Sequence, residues 1–490
     1  MLVLITALSL GYFAYSRLQP THTTSPSNIV LLVLPFENAG ANPDEQYFSD
    51  GMTEEMITEL ATLEQQRLRV IPRASALRIK SSGKDVYQTA RELNVDYLLE
   101  SSVFRSGSRV RINSRLIKVS DQSYVWADSY ERELRDVLVL QNEVARSISQ
   151  QIALQVDAPQ PSNAHQIDPE AYEAYLKGKY FFDKFTESGM RTSIEYFKRA
   201  IEKEPGYAPP YARMARAYGV LGNFNSLPPD EAYPKQKEAA QRALEIDERS
   251  GEARTALGWT MLFYDRDWNG AKEQFEKAIA LNPSFPAAHQ GYATYLIAMG
   301  DFDRGISEIL KAQQLDPVNL NIKGDVGWDL YFARRTDESI ARLKQVLEMD
   351  PNFSIAHFFL ALAYQEKGMF DQAIAEARAV ALFEGNEYRI ATLGDAYARA
   401  GKKQEARNIL TRLKKASREH YISPYTTGLI YASLGQNDEA LDWLEKACND
   451  RFWMMAFLKV DPRWDSLRSH PRFVEILRRT GLASWEAVVH

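Results

Sequence analysis

Cysteine is almost absent from the 490 residues: Cys448 stands alone, so no intrachain disulfide can form and an oxidising compartment is tolerated. The seven histidines are scattered, without a His-x-x-x-His pair or an acidic cluster at ligand spacing. No Gly-x-x-x-x-Gly-Lys phosphate loop occurs. The net charge is −6 with mixed signs, and no basic stripe indicates a nucleic-acid surface. We therefore expect no enzyme activity, no cofactor, no metal and no direct nucleic-acid binding.

An apolar run without a charged residue occupies residues 1–15. At about 1.5 Å per residue it would span about 22 Å as a helix, less than the roughly 30 Å hydrocarbon core of a bilayer. A cleaved signal peptide would need a basic region before the run, and none is present. We expect residues 1–19 to be a membrane anchor that lacks its first turn, followed by a Thr/Ser/Pro linker at 20–27. A cleaved signal peptide is the alternative.

Proline, in contrast, recurs at a fixed interval. Pro283, Pro317 and Pro351 each close an Ala/Leu-rich helical segment, and each lies 34 residues from the next. The best copy of the pattern has small residues, aromatic residues and a turn glycine at Ala361, Tyr364, Gly368, Phe370, Ala373 and Ala377. This pattern resembles the tetratricopeptide family, which implies stacked helical hairpins and an extended binding surface. We expect about eight hairpins over residues 169–450 and a helical cap at 451–490.

The resemblance also implies where a partner would bind, since the first helix of each hairpin lines the concave groove of such a stack. Aligning the copies places these residues in the groove: Trp259, Gln290, Thr294, Trp328, Tyr331, Phe358, Leu362, Gln365 and Asp395. Large aromatic side chains beside amide groups are typical of peptide-binding surfaces. We predict that this set binds a protein or peptide partner. In the alternative, the rings cover a neighbouring hairpin or the N-terminal domain folded back into the groove.

The region before the repeats has a different pattern. Residues 28–36 form a continuous apolar run of strand length, typical of a strand buried on both faces. Further strands are predicted at 68–72 and 97–104, helices at 53–63 and 85–94, then an alternating pair of strands and a long amphipathic helix at 134–156. The predicted order is β-α-β-α-β-β-β. Arg109, Arg111 and Arg115 alternate with apolar residues, which indicates a solvated sheet face.

Four sequence words in this region carry a second resemblance: Val-Leu-Pro-Phe-Glu-Asn at 33–38, Tyr-Phe-Ser-Asp-Gly-Met-Thr-Glu-Glu at 47–55, Ala-Arg-Glu-Leu-Asn-Val-Asp-Tyr-Leu-Leu-Glu-Ser at 90–101 and Arg-Val-Arg-Ile at 109–112. Together with the element order they resemble the TolB/FlgO-type amino-terminal domain, here at 28–156 and followed by a linker at 157–168. In bacterial proteins of this kind the domain precedes tetratricopeptide repeats. It follows either a winged-helix DNA-binding domain, as in CadC/ToxR-like membrane regulators, or a nucleotide cyclase domain. Neither effector precedes the domain in this sequence.

The expected fold is thus an α+β N-terminal domain followed by an all-α superhelical solenoid, with an N-terminal membrane helix. The expected function is a membrane-anchored, non-catalytic signalling protein that binds partner proteins or peptides. We expect it in the bacterial inner membrane as a single-pass protein, with most of the chain in the periplasm. The alternative is the regulatory part of a transcription regulator or cyclase whose N-terminal effector is absent from this chain.

Overall fold

The computed structural model describes residues 29–40, 42, 45–63, 67–152, 166–381, 387–419 and 421–482. The predicted anchor at 1–19, the linker at 20–27 and most of the linker at 157–168 lie outside these residues. Within the described ranges, no helix is both long enough and apolar enough to cross a membrane. The described chain consists of an N-terminal α/β domain and a longer, wholly helical solenoid.

The N-terminal domain is built on one mixed sheet. Its strands are β1 (Ile29–Val33), β2 (Glu37–Asn38), β3 (Leu68–Ile71), β4 (Tyr97–Ser106), β5 (Arg109–Lys118) and β6 (Tyr124–Glu133). The order is β3-β1-β4-β5-β6, and β2 pairs with β4. β1 is parallel to both of its neighbours, whereas β4, β5 and β6 are antiparallel. Parallel strands need crossover connections, which the helices between β1 and β4 supply.

Four helices cover the two faces of this sheet: α1 (Gln46–Leu63), α2 (Arg73–Ser81), α3 (Val86–Glu92) and α4 (Val137–Gln151). Leu31 and Val33 of β1 pack in the core beneath α1 and α4. Leu32, on the opposite face, packs in the core beneath α2 and α3. The central strand is therefore buried on both sides, which explains its unbroken apolar sequence.

The observed order of elements differs from the predicted β-α-β-α-β-β-β in two additions, β2 and α2. The helix α2 is mostly polar, and only Ser75, Ala76 and Ile79 are buried, so its sequence signal is weak. It is held by tertiary contacts, including a hydrogen bond between Ser75 Oγ and Asp316 of the repeats. The next helix, α3, begins where expected because the Asp85 carboxylate caps it by accepting from Tyr87 N at 2.8 Å.

Within the described residues, eight helical hairpins form the solenoid. Hairpins 1 to 8 are Pro169–Phe182 with Glu187–Lys203, Ala208–Asn223 with Pro229–Ile246, Gly251–Thr260 with Trp268–Leu281, Pro286–Met299 with Phe302–Leu315, Leu320–Phe332 with Thr336–Met349, Ser354–Glu366 with Phe370–Ala381, Glu387–Arg399 with Lys403–Ala416, and Pro424–Ser433 with Asn437–Asn449. In hairpin 3 the first helix continues into a π-helical turn, Met261–Asp265. The fold is therefore a solenoid of the tetratricopeptide type behind an α/β domain.

Small residues recur along the sequence because the helices cross at close range. A Cβ atom added to Gly291 would lie 2.3 Å from Phe275 Cε1. One added to Gly327 would lie 2.5 Å from Leu343 Cγ. Ala373, expected at a tight crossing, has no exposed surface. Larger side chains at these positions would overpack the crossings.

Buried ion pairs join the α/β domain to hairpins 1 and 2. Lys179 Nζ, on a side chain only 2% exposed, lies 3.2 Å from Glu54 Oε2 and also pairs with Glu55. Arg213 pairs with the same Glu54 and lies 3.1 Å from Glu252 Oε1. Burial raises the pKa of Glu54, but the charges of Arg213 and Lys179 outweigh burial and hold that pKa below its usual value.

Residues 450–482, which we call the C-terminal segment, return into the superhelix. They contain two short 3-10 helices, Trp453–Phe457 and Pro462–Leu467, and one α-helix, Pro471–Arg479. The Trp453 ring packs on Phe263 of hairpin 3 with centroids 5.7 Å apart. At the same place Arg266 Nη2 donates to the carbonyl of Cys448 in hairpin 8 at 2.7 Å. Hairpin 3 thus contacts both hairpin 8 and the C-terminal segment.

Candidate interaction sites: a covered groove and an open cleft

The residues predicted to line the groove all lie on first helices, in hairpins 3 to 7. The buried members, none more than 7% exposed, are Trp328, Tyr331, Phe358, Leu362, Gln365 and Asp395. The half-buried members are Trp259, Gln290 and Thr294. Most of these positions are therefore not open to solvent. Their role in partner binding stays a prediction.

The C-terminal segment is what covers the aromatic part of the groove. Its Phe457 ring stacks on Phe332 with centroids 4.8 Å apart and lies edge-on to Trp328 at 6.1 Å. Trp328 also stacks on Phe359 of hairpin 6 at 4.4 Å. Trp328 therefore packs both on the neighbouring hairpin and on the C-terminal segment, as a core residue does.

Polar contacts fasten the C-terminal segment to the repeats. The Arg334 guanidinium of hairpin 5 donates to both carboxylate oxygens of Asp465, at 2.7 and 2.9 Å. Lys459, only 7% exposed, donates from Nζ to the carbonyl of Met299 at the end of a hairpin 4 helix, at 3.1 Å. These directional contacts specify the position of the segment beyond what apolar packing does.

A buried ion pair lies at the centre of the segment. Asp461 has no exposed surface, and Arg463 Nη2 lies 2.6 Å from Asp461 Oδ2. Tyr425 of hairpin 8 donates its hydroxyl to the same carboxylate oxygen at 2.6 Å. Burial raises the pKa of Asp461, but the charge and hydrogen bonds of Arg463 outweigh it and bring the pKa below its usual range.

A pair of carboxyl groups lies between hairpins 4 and 5. Gln290, one of the predicted groove residues, donates from Nε2 to Asp325 Oδ2 at 2.6 Å. Burial raises the pKa of Asp325 to about 6 against the opposing effect of that hydrogen bond. Burial, together with the charge on Asp325, also raises the pKa of Asp329, which is 2% exposed. In both carboxyl groups, burial thus disfavours the ionised form.

Asp325→Asn is expected to raise the melting temperature of the repeats at pH 7.5 by about 2 °C or more. The sign follows from linkage: the folded state holds a proton on Asp325 that the unfolded state releases above about pH 4, so wild-type stability falls between about pH 4 and pH 6. Thermal melts at pH 4.5, 6 and 7.5 should show this slope reduced in the variant. The matched control is Asp371→Asn, whose side chain is 97% exposed and should leave the slope unchanged. Equal slopes in Asp325→Asn and wild type would contradict the prediction.

An open cleft lies where the α/β domain meets hairpins 2 to 5, with a volume of about 950 Å³. Its apolar walls come from both parts of the chain: Ile57, Ala61 and Leu77 from the α/β domain, and Ala212, Leu281, Phe285, Ala287 and Ile322 from the repeats. Concave, mostly apolar spaces between domains are frequent ligand sites. The cleft is thus an apolar surface that the repeats share with the α/β domain.

Charged groups around the cleft are largely paired with one another. Arg73 Nη2 lies 3.2 Å from Asp50 Oδ2, and Arg73 also pairs with Asp183. Arg216 Nη1 lies 2.9 Å from Glu252 Oε1. A ligand would therefore gain mainly from the apolar walls, because these charges already have partners of opposite sign.

The remaining sequence candidates have structural explanations. His289, like His357, is held inside one hairpin: its Nδ1 lies 2.7 Å from Glu308 Oε2 and its Nε2 lies 2.9 Å from the carbonyl of Pro283. Across the described residues, no group of three or more His, Cys, Asp or Glu side chains could hold a metal ion. The arginine row lies on the exposed outer face of the sheet, where Arg111 Nη2 is 2.6 Å from Glu131 Oε2. These contacts agree with a structural role.

Sequence reasoning missed both the cleft and the cover of the groove. The cleft combines residues as far apart in the chain as Ala61 and Ile322, and no local pattern links them. The cover had one usable signal: the word Lys-Val-Asp-Pro-Arg-Trp-Asp at 459–465 contains Asp461 and Trp464, neither of which has any exposed surface. The word alone does not show that Asp461 is buried, because its partners Arg463 and Tyr425 are recognised only in the folded chain.

Comparison with known families identifies two parts of the chain. Residues 27–147 match the family described as HilA/YgeH-like transcriptional regulator, second domain. Residues 326–387 and 392–453 match the tetratricopeptide repeat family. The chain therefore combines a HilA-like domain with tetratricopeptide repeats, and the repeat assignment from the sequence is confirmed. The finer resemblance to a TolB/FlgO-type domain stays a prediction.

Two curated proteins are similar to this chain over long stretches. "Transcriptional regulator HilA" of Salmonella typhimurium (strain LT2) is 22% identical over 427 residues, which is 84% of this chain and 67% of HilA. "Putative adenylate cyclase 3" of Rhizobium meliloti (strain 1021) is 30% identical over 227 residues, which is 45% of this chain and 38% of that protein. The matching part of the chain thus spans 38% and 67% of the lengths of these relatives.

Among solved structures, the "Human IFIT1 dimer with m7Gppp-AAAA" is similar in backbone. The identity is 15%, the alignment covers 64% of this chain and 79% of that one, and the TM-score is 0.45. This likeness concerns the fold alone.

Proposed function

We propose that this chain is a non-catalytic interaction and regulatory protein whose partner binds in the cleft between the α/β domain and the repeats. The single observation that carries the proposal is the cleft itself, about 950 Å³ with apolar walls from both parts of the chain. Tetratricopeptide repeats are interaction modules, and the similarity to HilA covers 84% of the chain. A segment of a partner protein bound there would contact both domains at once.

The half-buried side chains of Leu281, Phe285 and Ala287 support a protein segment as the occupant. They lie where the end of hairpin 3 meets the start of hairpin 4, so one short stretch of the chain contributes all three to the cleft wall. Ala61 of α1 lines the same cleft from the α/β domain. Apolar walls in contact with solvent gain free energy when a partner side chain replaces water.

The concave groove is the second candidate for the partner site, and it requires the C-terminal segment to leave. Phe457 is 1% exposed, and Trp464 and Leu458 have no exposed surface. Exposing one such side chain costs about 1.5 to 3 kcal/mol, and the segment contains several of them. A partner would have to outbind this intramolecular contact, so we favour the cleft.

Position-specific photocrosslinking in cells tests the cleft. A photoreactive amino acid at Ala61 and, separately, at Ala287 should give adducts with one and the same partner, identified by mass spectrometry. Ala287→Trp, which fills part of the cleft, should suppress the adduct formed from position 61. Ala341, an exposed alanine on the second helix of hairpin 5, is the matched control position. Adducts that form equally well from position 341, or from neither cleft position, would sink the cleft proposal.

A more specific role is favoured by the relatives. HilA is a transcriptional regulator by name, and the Rhizobium relative is named as a cyclase. As an alternative function, we propose that this chain is the regulatory part of such a protein, with the effector supplied by a domain outside this chain. The nucleotide sequence upstream of the Met1 codon tests this alternative. A helix-turn-helix or cyclase pattern in the same reading frame would support the regulatory role.

Anchoring by residues 1–19 and a periplasmic location belong to the proposal as well. Their support is the uncharged apolar run at 1–15 and the near absence of cysteine. Sedimentation of the full chain with membranes, followed by an alkaline phosphatase fusion after the last hairpin, tests both. Full-length protein free of membranes would count against the anchor, and an inactive fusion would count against the periplasm.

A further inference from the structure

The strand β6 forms one edge of the sheet and, among the described strands, pairs only with β5. It is ten residues long, Tyr124–Glu133. At its start, Tyr124 is 66% exposed and Val125 is 37% exposed. Val125 has no opposite residue in β5, because the register shifts there. The regular part of the edge therefore begins at Trp126. A long edge strand presents unpaired backbone groups to any strand that approaches it.

The direction of the backbone groups of β6 follows from its hydrogen-bond register. Leu134 N donates to the carbonyl of Ser108 at 2.6 Å, and Glu133 lies opposite Arg109. Hydrogen-bonded and non-hydrogen-bonded pairs alternate along an antiparallel ladder. Asp128, Tyr130 and Arg132 therefore direct their N–H and C=O groups toward β5. The residues that direct theirs toward the free edge are Ala127, Ser129, Glu131 and Glu133.

Two side chains of β6 satisfy edge groups of their own strand. Ser129 N donates to Asp128 Oδ1 at 2.8 Å. Arg132 Nη1 donates to the carbonyl of Glu131 at 2.8 Å, while Arg132 Nη2 bonds to Glu143 of α4. These contacts agree with the outward direction of Ser129 and Glu131. They also show that Asp128 and Arg132 occupy the places that the groups of an added strand would take.

The side chains of β6 favour one self-pairing over its neighbours. With a two-fold axis at Tyr130, Asp128 lies directly opposite Arg132 of the second copy, and the symmetry produces this pair twice. An axis at Asp128 instead places two carboxylates opposite each other, which is destabilising. An axis at Ser129 pairs Arg132 with Trp126 and leaves no opposite charges facing. Of these three axes, only the one at Tyr130 places opposite charges across from each other.

The same axis also matches the backbone. It pairs Ser129 with Glu131 of the second copy and Ala127 with Glu133 of the second copy, all residues whose N–H and C=O groups face the free edge. Ser129 N then donates to the partner carbonyl instead of to Asp128. Arg132 Nη1 leaves the Glu131 carbonyl and becomes free for Asp128 of the second copy. Each local hydrogen bond is thus exchanged for an intermolecular one.

We propose that two copies of this chain associate through β6, in antiparallel register about a two-fold axis at Tyr130, to form one continuous sheet. The interface is isologous, as in most symmetric dimers. It goes beyond the proposed partner binding, because the β6 edge does not line the interdomain cleft. The dimer places two solenoids on one assembly, so a partner with two binding segments would be held by both.

Charge exchange across the proposed axis gives a symmetric test. The full chain is purified in detergent, and its dimer dissociation constant is measured by sedimentation velocity over a concentration series. Asp128→Arg and Arg132→Asp, each alone, put like charges opposite each other twice and should weaken the dimer about tenfold or more. The double variant Asp128→Arg/Arg132→Asp restores opposite charges and should return to within about threefold of wild type. Glu92→Arg, an exposed charge reversal on α3, is the control and should change nothing.

A second variant tests the backbone pairing. Ser129→Pro removes an N–H that faces the free edge and one exposed side-chain hydrogen bond, from Ser129 Oγ to Asn113, but no backbone bond to β5. The β5 pairing and most of the melting temperature should therefore be kept while the dimer is lost. A wild-type chain that stays monomeric at every concentration would overturn the proposal. A double charge variant that dimerises no more tightly than the single variants would also overturn it, as would a dimer whose dissociation constant is unchanged by Ser129→Pro. A monomer whose β6 pairs with a strand of a different protein would overturn it as well.

Discussion

Replacing Trp328 with alanine is expected to lower the unfolding free energy of the repeats by about 3 to 5 kcal/mol. Trp328 is 5% exposed, and its ring contacts Phe359 at 4.4 Å and Phe457 at 6.1 Å. Truncation would leave a cavity where hairpin 5, hairpin 6 and the C-terminal segment meet, because other contacts hold these three parts in place. Chemical denaturation followed by circular dichroism measures the loss.

The control for this variant is Tyr124→Ala, which removes an aromatic ring that is 66% exposed and should change stability by no more than about 0.5 kcal/mol. The sequence pattern instead predicted that Trp328 and Phe358 bind a partner. If Trp328→Ala melted like wild type and lost partner binding, the C-terminal segment would have to leave the groove in solution. The groove would then replace the cleft as the binding site.

Breaking the buried ion pair of the C-terminal segment should have an effect of similar size. Asp461→Ala leaves the Arg463 guanidinium buried without its carboxylate, and Tyr425 loses its hydrogen-bond acceptor. Removal of one partner of a buried pair typically costs about 3 to 5 kcal/mol. We expect the melting temperature of the repeats to fall accordingly, with the C-terminal segment losing amide-exchange protection first.

Two variants separate this cause from simple loss of side-chain volume. The double variant Asp461→Leu/Arg463→Met removes both charges and should recover most of the stability, since buried pairs can often be replaced by apolar residues. Glu475→Ala breaks an exposed pair with Arg478 and should cost less than about 1 kcal/mol. A double variant as unstable as Asp461→Ala would show that the charge pair is not the cause.

The periodic part of the fold was readable from the sequence because each hairpin packs mainly on its neighbours. The 34-residue spacing of Pro283, Pro317 and Pro351 reports a contact pattern that repeats locally. The same locality explains why Ala373 could be assigned to a tight crossing, where it has no exposed surface. The central strand β1 was equally readable, since burial on both faces requires an unbroken apolar run.

The helix α2 shows where this reading stops. Its buried positions are few, and one of them, Ser75, bonds to Asp316 more than 200 residues along the chain. Amphipathic periodicity is weak in a nine-residue helix whose contacts are partly polar. The element was therefore missed, and with it one wall of the cleft that its Leu77 lines.

The sequence by itself determined that Trp328, Phe358 and Leu362 face the inside of the superhelix, because helical period and repeat alignment are local properties. It could not determine what lies against them. That depended on contacts between distant parts of the chain, such as Phe332 with Phe457 and Arg334 with Asp465. An apolar side chain carries the same signal whether it awaits a partner or packs on its own chain, since the hydrophobic effect is non-directional. Only the tertiary structure decided that the groove is covered and that the cleft stays open.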